Sequence, residues 1–167
     1  MNETQLMAAQ LTLERSHACA LAAACARSHE DQGLLRQAGA AYLARILGWF
    51  QERDARLAQM AQRRPPDEPG RSLAASLDSA GDSAAALALL APPRGEDWPA
   101  LARFLGGPWS QRREALEQWL HSHARVAHWR SVTGLTAERI LEERELWSRA
   151  EGLLAEELAG TATGPPP

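Results

Sequence analysis

Four side chains in this sequence could carry a metal or a proton from positions on helical patterns: His17, Cys25, His29 and His123. His17 and His123 would meet if their helices packed across a common core. Cys25 and His29, four residues apart, share one helical face. A structural zinc site needs four such ligands, and carboxylate-bridged di-iron bundles use paired Glu-x-x-His motifs together with further inward-pointing acids. The sequence has no Cys-x-x-Cys step and no such pair, so these four residues are weak candidates and the expectation is no metal and no cofactor. Other chemistries have less support. There is no Gly-x-Ser-x-Gly elbow, no glycine loop for phosphate and no Cys-His arrangement with an orienting third group. Cys19 and Cys25 lie in an alanine-rich stretch without lysine, the setting of inert packed thiols. The chain is expected not to be an enzyme.

A second set of capable groups is embedded in apolar stripes. When the long helical patterns are projected at about 100° per residue, one polar residue falls near the middle of each stripe: His17, Arg53, His123 and Glu143. Buried polar groups need partners. Arg53 is therefore expected to pair with Glu143, and His17 or His123 to hydrogen-bond a nearby group, fixing helix register more than adding stability.

The elements that must position these groups are helices. All 18 basic residues are arginine, Val and Ile together number four, and Ala, Leu, Arg and Glu fill most of the rest. That palette favours helices and starves strands. The expected fold is all-α, an antiparallel bundle of four long amphipathic helices with short helices in a Pro-rich middle segment.

The first helix is expected over Thr4–Ser28, with its stripe on Leu6, Leu13, His17, Ala20, Leu21 and Ala24. The second, over Leu34–Arg63, carries Gly39, Leu43, Ile46, Phe50, Arg53, Leu57 and Met60 at alternating steps of three and four, close to a heptad seam. Tyr42, Leu47 and Trp49 widen it toward a multi-helix core. Three prolines and a glycine between Arg64 and Gly70 end the helical pattern and join halves 1–64 and 71–160 of a single domain, 1–160.

Short helices follow at Ser72–Ser79 and Asp82–Leu90. Asp97-Trp98-Pro99 opens another, expected to stop at Gly106-Gly107. Long helices resume at Ser110–Arg130 and from the Thr136 cap to about Ala159, and 161–167 is expected to be a disordered tail.

Charge and hydropathy limit the partners. The net charge of -3 has no basic block able to announce a nucleic acid, and Glu142, Glu143 and Glu145 neutralise the arginines of the preceding segment. No membrane span is expected, because no run approaches the roughly 18 apolar residues needed. Without a secretory leader pattern, and with cysteines unsuited to an internal disulfide, the expected location is intracellular and cytoplasmic, or else nuclear.

Leu73, Leu77, Ala80, Gly81-Asp82 and Ala84 have the anchor spacing of a short groove-docking helix. Two of those anchors are alanines, and Gly81-Asp82 reads as a turn and cap. Met7, Leu11, Leu34, Trp98, Trp109, Trp129 and Leu141 fall outside the best stripes. Of these, Trp98, Trp109, Trp129 and Leu141 are expected to line an interface. The functional expectation is a non-catalytic helical protein-protein interaction subunit or adaptor of a larger complex, or a homo-oligomer. The alternative is a small-ligand or metal-binding bundle with a regulatory or accessory enzymatic role, its pocket near His17, Tyr42, Trp49, Trp119 and His123.

Overall fold

Helix starts follow from the capping residues. Asn2 accepts a hydrogen bond from the Gln5 backbone N–H at 2.9 Å, and the Gln5 side chain accepts one from the Asn2 N–H at 2.9 Å. This reciprocal box satisfies donors that the first turn leaves open, and α1 runs from Glu3 to Arg27. α2 spans Leu34–Gln62 and α3 spans Asp82–Leu90. Asp97 caps α4 (Trp98–Phe104) by accepting from the Ala100 N–H at 3.2 Å, with Pro99 in the first turn where its missing N–H costs nothing. α5 spans Ser110–His123. Thr136 caps α6 (Ala137–Ala162), its hydroxyl accepting from the Arg139 N–H at 3.1 Å.

This computed structural model describes residues 2–28, 33–63, 82–90, 97–123, 130 and 133–162. Every regular element among them is helical. The expected proline-rich joint at 64–70, the helix at 72–79 with its groove-docking spacing, His29 and Trp129 lie outside the described residues, as do the side chains of Trp119 and His123.

α4 does not stop at Gly106-Gly107. It continues through a π-turn, Leu105–Trp109, directly into α5. Pro108 cannot supply a backbone N–H, and its ring crowds the carbonyl one turn back. A wider turn relieves both conflicts, and two glycines before it lower the steric cost. The Cys19 thiol donates to the Leu105 carbonyl at the start of this turn, at 3.3 Å.

α1 and α2 pack antiparallel, since Cys25 approaches Gly39 near the connection while Glu14 meets Arg53 further along. A Cβ on Gly39 would stand 2.7 Å from the Cys25 Sγ, so the approach depends on the missing side chain. α6 is antiparallel to α2, with Arg45 bonded to Glu142 and Arg139 to Glu52. α5 lies against α1 through Arg15 and Glu117.

The buried face of α1 differs from the expected stripe. Met7, Leu11, Glu14, Ala18, Leu21 and Cys25 are buried at alternating steps of four and three, while Leu6 and Leu13 are exposed. Reading Glu14 as a solvent-facing acid rotates the stripe; once Glu14 is allowed inside, the seam is regular. Trp98 and Trp109, expected at an interface, are also core residues, with Trp109 at 0 % exposure. The π-turn keeps Trp109 on the core side, where it meets Phe50 edge-to-face at 5.0 Å. Leu141 is exposed.

Candidate functional site

Two seams, each interrupted by one charged residue, build the polar centre of the molecule. Glu14 sits in the α1 seam and Arg53 in the α2 seam, and the antiparallel register sets them opposite each other. The Arg53 guanidinium donates to Glu14 Oε2 at 2.6 Å and reaches Oε1 at 3.5 Å, with both side chains at 3 % exposure or less. Its Nε donates to the Thr133 carbonyl at 2.7 Å, tying this pair to the chain just before α6. A buried cation with a carboxylate and a carbonyl around it has the partners that make burial tolerable.

The expected pairing of Arg53 with Glu143 is therefore corrected. Glu143, at 1 % exposure, belongs to a neighbouring cluster. Its Oε1 accepts from the Tyr42 hydroxyl at 2.9 Å and from His17 Nδ1 at 3.1 Å. Gln10 joins the two clusters, its amide lying 3.4 Å from both Glu14 Oε1 and Glu143 Oε2. One chain of polar contacts thus links α1, α2 and α6. Sequence spacing missed it because the projected stripe of the first helix takes in His17 and leaves Glu14 out. The available signal was Glu14-Arg15-Ser16-His17, a Glu-x-x-His step that puts a carboxylate and an imidazole on one side of α1.

The electrostatics follow from burial and neighbours. For Glu143, desolvation pushes the carboxyl upward, but hydrogen bonds from His17, Tyr42 and Gln10 and the charge of His17 outweigh it, holding the group below its ordinary value. Tyr42 is pushed well above the ordinary phenol range by burial, by the charge and hydrogen-bond demand of Glu143, and by the charge of Glu14. It remains a neutral donor. The His17 ring lies flat on Trp147, with centroids 3.7 Å apart and planes 3° from parallel, and Trp147 meets Tyr42 edge-on. The imidazole is thereby held from three sides.

A second charged cluster adjoins the first at the next residue of α2. Arg113 from α5 pairs with Asp54, and the guanidinium carbons of Arg53 and Arg113 lie 5.0 Å and 4.9 Å from the Phe50 ring centroid. A phenyl ring accepts cations on its faces, so Phe50 lets two arginines share the core.

A carboxylate-oriented imidazole is two-thirds of a nucleophilic triad. The hydroxyl that bonds Glu143 is that of Tyr42, however, and among the described residues no three His, Cys, Asp or Glu side chains gather as a metal site. The Glu14 carboxylate is taken up by Arg53. Cys25 is buried with its thiol toward the Leu35 carbonyl at 3.8 Å, away from His17. Burial also raises the Cys19 thiol, against opposing contributions from Ser110 and Arg15, which disfavours the nucleophilic thiolate.

Of the residues expected around a ligand pocket, His17 and Tyr42 pack against Trp147, while the side chains of Trp119 and His123 lie outside the described residues. Surface hollows lie between α2 and α6, one lined by Leu34, Ala38, Ala41 and Gly152, the other by Arg45, Trp49 and Glu142. No helix among the described residues is long and apolar enough to cross a membrane. Comparison with protein-family models, curated proteins and solved structures gave no match in any of the three.

Proposed function

We propose that this chain is a non-catalytic helical subunit whose work is to dock on protein surfaces. The observation that carries the reading is that α1 bears, besides its buried seam, an outer stripe of apolar and small residues. Its inner seam packs on the core, while Leu6, Ala9, Leu13, Ser16 and Ala20 repeat the same alternating three-and-four spacing on the outer side and are exposed. A helix lying on a core needs only one apolar stripe. In this reading the four long helices act as an antiparallel bundle whose polar centre fixes register, and the outer stripe of α1 is the contact surface. Two free cysteines suit a reducing intracellular compartment.

The test is light scattering combined with affinity purification from the native source, comparing the wild type with a Leu6→Glu/Leu13→Glu variant. The reading expects an assembly that the variant loses while keeping its helical circular dichroism. A wild-type chain that is monomeric and gains or loses no contact through α1 contradicts it.

A further inference from the structure

We propose that the groove between α2 and α6 seats one helix of another protein, a basic amphipathic helix with a large apolar side chain at the Leu34 end and a cation at the Glu138 end. This extends the docking reading to a second surface, separate from the outer stripe of α1.

The groove is built by two rows of one period. On α2, Leu34, Ala38, Ala41, Arg45, Gly48 and Glu52 follow at alternating steps of four and three. The α6 row, Glu138, Glu142, Glu145, Arg149, Gly152 and Glu156, has the same steps. Such spacing keeps each row on one side of its helix and offers holes to the knobs of a third. The hollows lie in line between the rows, about 630 Å³ at the Leu34 end and about 470 Å³ at the Glu138 end. The α2 row is about 27 Å long at about 1.5 Å per residue, which a straight helix of about five turns covers.

Each hollow is lined by a glycine that packing within the described residues does not require. A Cβ on Gly39 would collide with Cys25, whereas one on Gly48 or Gly152 would meet nothing within 4 Å. Inside a helix, glycine is the least favourable residue after proline. One such position on each wall leaves room for a backbone to come close from outside.

Charge names the occupant. The α6 row carries four carboxylates and one guanidinium. Glu142 is bonded to Arg45 across the groove, while Glu138, Glu145 and Glu156 hold no ion pair among the described residues. A basic helix answers these carboxylates and an acidic one is repelled. At the other end the wall is apolar, with Leu34 67 % exposed and Leu153 half-buried. The rise from Ala38 to Gly48 is about 15 Å, so the apolar anchor and the cation stand about 10 or 11 positions apart on the incoming helix. The outer stripe of α1 contains no cation, so a second copy does not supply this chemistry through it.

The test is selection of a displayed library of helical peptides of about 18 residues against the full chain, followed by anisotropy titration of the peptides recovered. The expected peptides are net positive, carry Arg or Lys about 10 or 11 positions from Leu, Phe or Trp, and bind more weakly as salt rises. Glu138→Lys/Glu145→Lys weakens them about tenfold. Gly48→Gln/Gly152→Gln, which fills both hollows, weakens them at least as much and raises the melting temperature, since glutamine is the better helix former. Leu6→Glu/Leu13→Glu binds them as the wild type does. Acidic or purely apolar peptides, binding that neither groove variant weakens, or a library that returns no binder overturns the proposal. Self-association of the wild type that Gly48→Gln/Gly152→Gln abolishes puts a second copy in the groove and overturns it too. Peptides lost only in Leu6→Glu/Leu13→Glu belong to α1, so the docking reading stands and this inference falls. Peptides held by the groove of a chain whose α1 holds nothing leave this inference standing and remove α1 as the contact surface.

Discussion

Glu14–Arg53 and Arg45–Glu142 are ion pairs of nearly equal length, 2.6 Å and 2.7 Å, in different worlds. The first joins α1 to α2 inside the molecule, with 0 % and 3 % of the side chains exposed. The second joins α2 to α6 on its surface, with 37 % and 56 % exposed. Distance does not separate them. Water does: it screens the outer pair and competes for its donors, whereas the inner pair has lost water and keeps only its protein partners. The inner pair is thus expected to set the register in which the two helices fold, and the outer pair to be an optional contact.

The largest expected effect breaks the inner pair from one side. Arg53→Ala leaves Glu14 buried and unpaired and removes the bond to the Thr133 carbonyl, so stability falls by about 3–5 kcal/mol in a denaturant titration. Next comes the close approach that holds the same two helices together. Gly39→Ala puts a methyl group into the Cys25 Sγ and costs about 1–3 kcal/mol, and Cys25→Ala in the same chain recovers part of the loss.

Smaller effects come from the Glu143 cluster, and pH reveals them. The Glu143 carboxyl is held below its ordinary 4.5, so its contribution is complete above about pH 4.5 and is lost as pH falls through the lowered value. Glu143→Gln should flatten the acid limb of a stability–pH curve. The Tyr42 phenol is held above its ordinary 10.0, so its contribution is complete below pH 10 and declines as pH rises toward the folded-state value. Tyr42→Phe should flatten the alkaline limb and, at neutral pH, cost about 1–3 kcal/mol for a hydrogen bond to a charged acceptor. Arg45→Ala is expected to change stability by less than about 1 kcal/mol, with added salt reducing even that.

The helices were legible in the sequence because their causes are local. Alanine and leucine content, Asp97 before Trp98-Pro99 and Thr136 before α6 act within a turn or two of themselves. The α2 seam was legible too, since Gly39, Leu43, Ile46 and Phe50 leave Arg53 as a plain interruption. Glu14 was not, because an acid is read as solvent-facing until its partner is known, and that partner lies 39 residues away. The same error displaced the α1 stripe onto Leu6 and Leu13. Trp98 and Trp109 were misread for a related reason: their burial depends on a π-turn carrying the helix through Gly106-Gly107-Pro108, where local rules write a stop.

A double-mutant cycle on Glu14 and Arg53, each changed to leucine, tests most directly whether the buried pair sets the α1–α2 register. The expected result is two strongly destabilised single variants and a double variant that regains most of the loss, with a coupling of about 2 kcal/mol or more in urea unfolding. Single losses that simply add would contradict it, because they would mean that Glu14 and Arg53 contribute independently and that the register is set elsewhere.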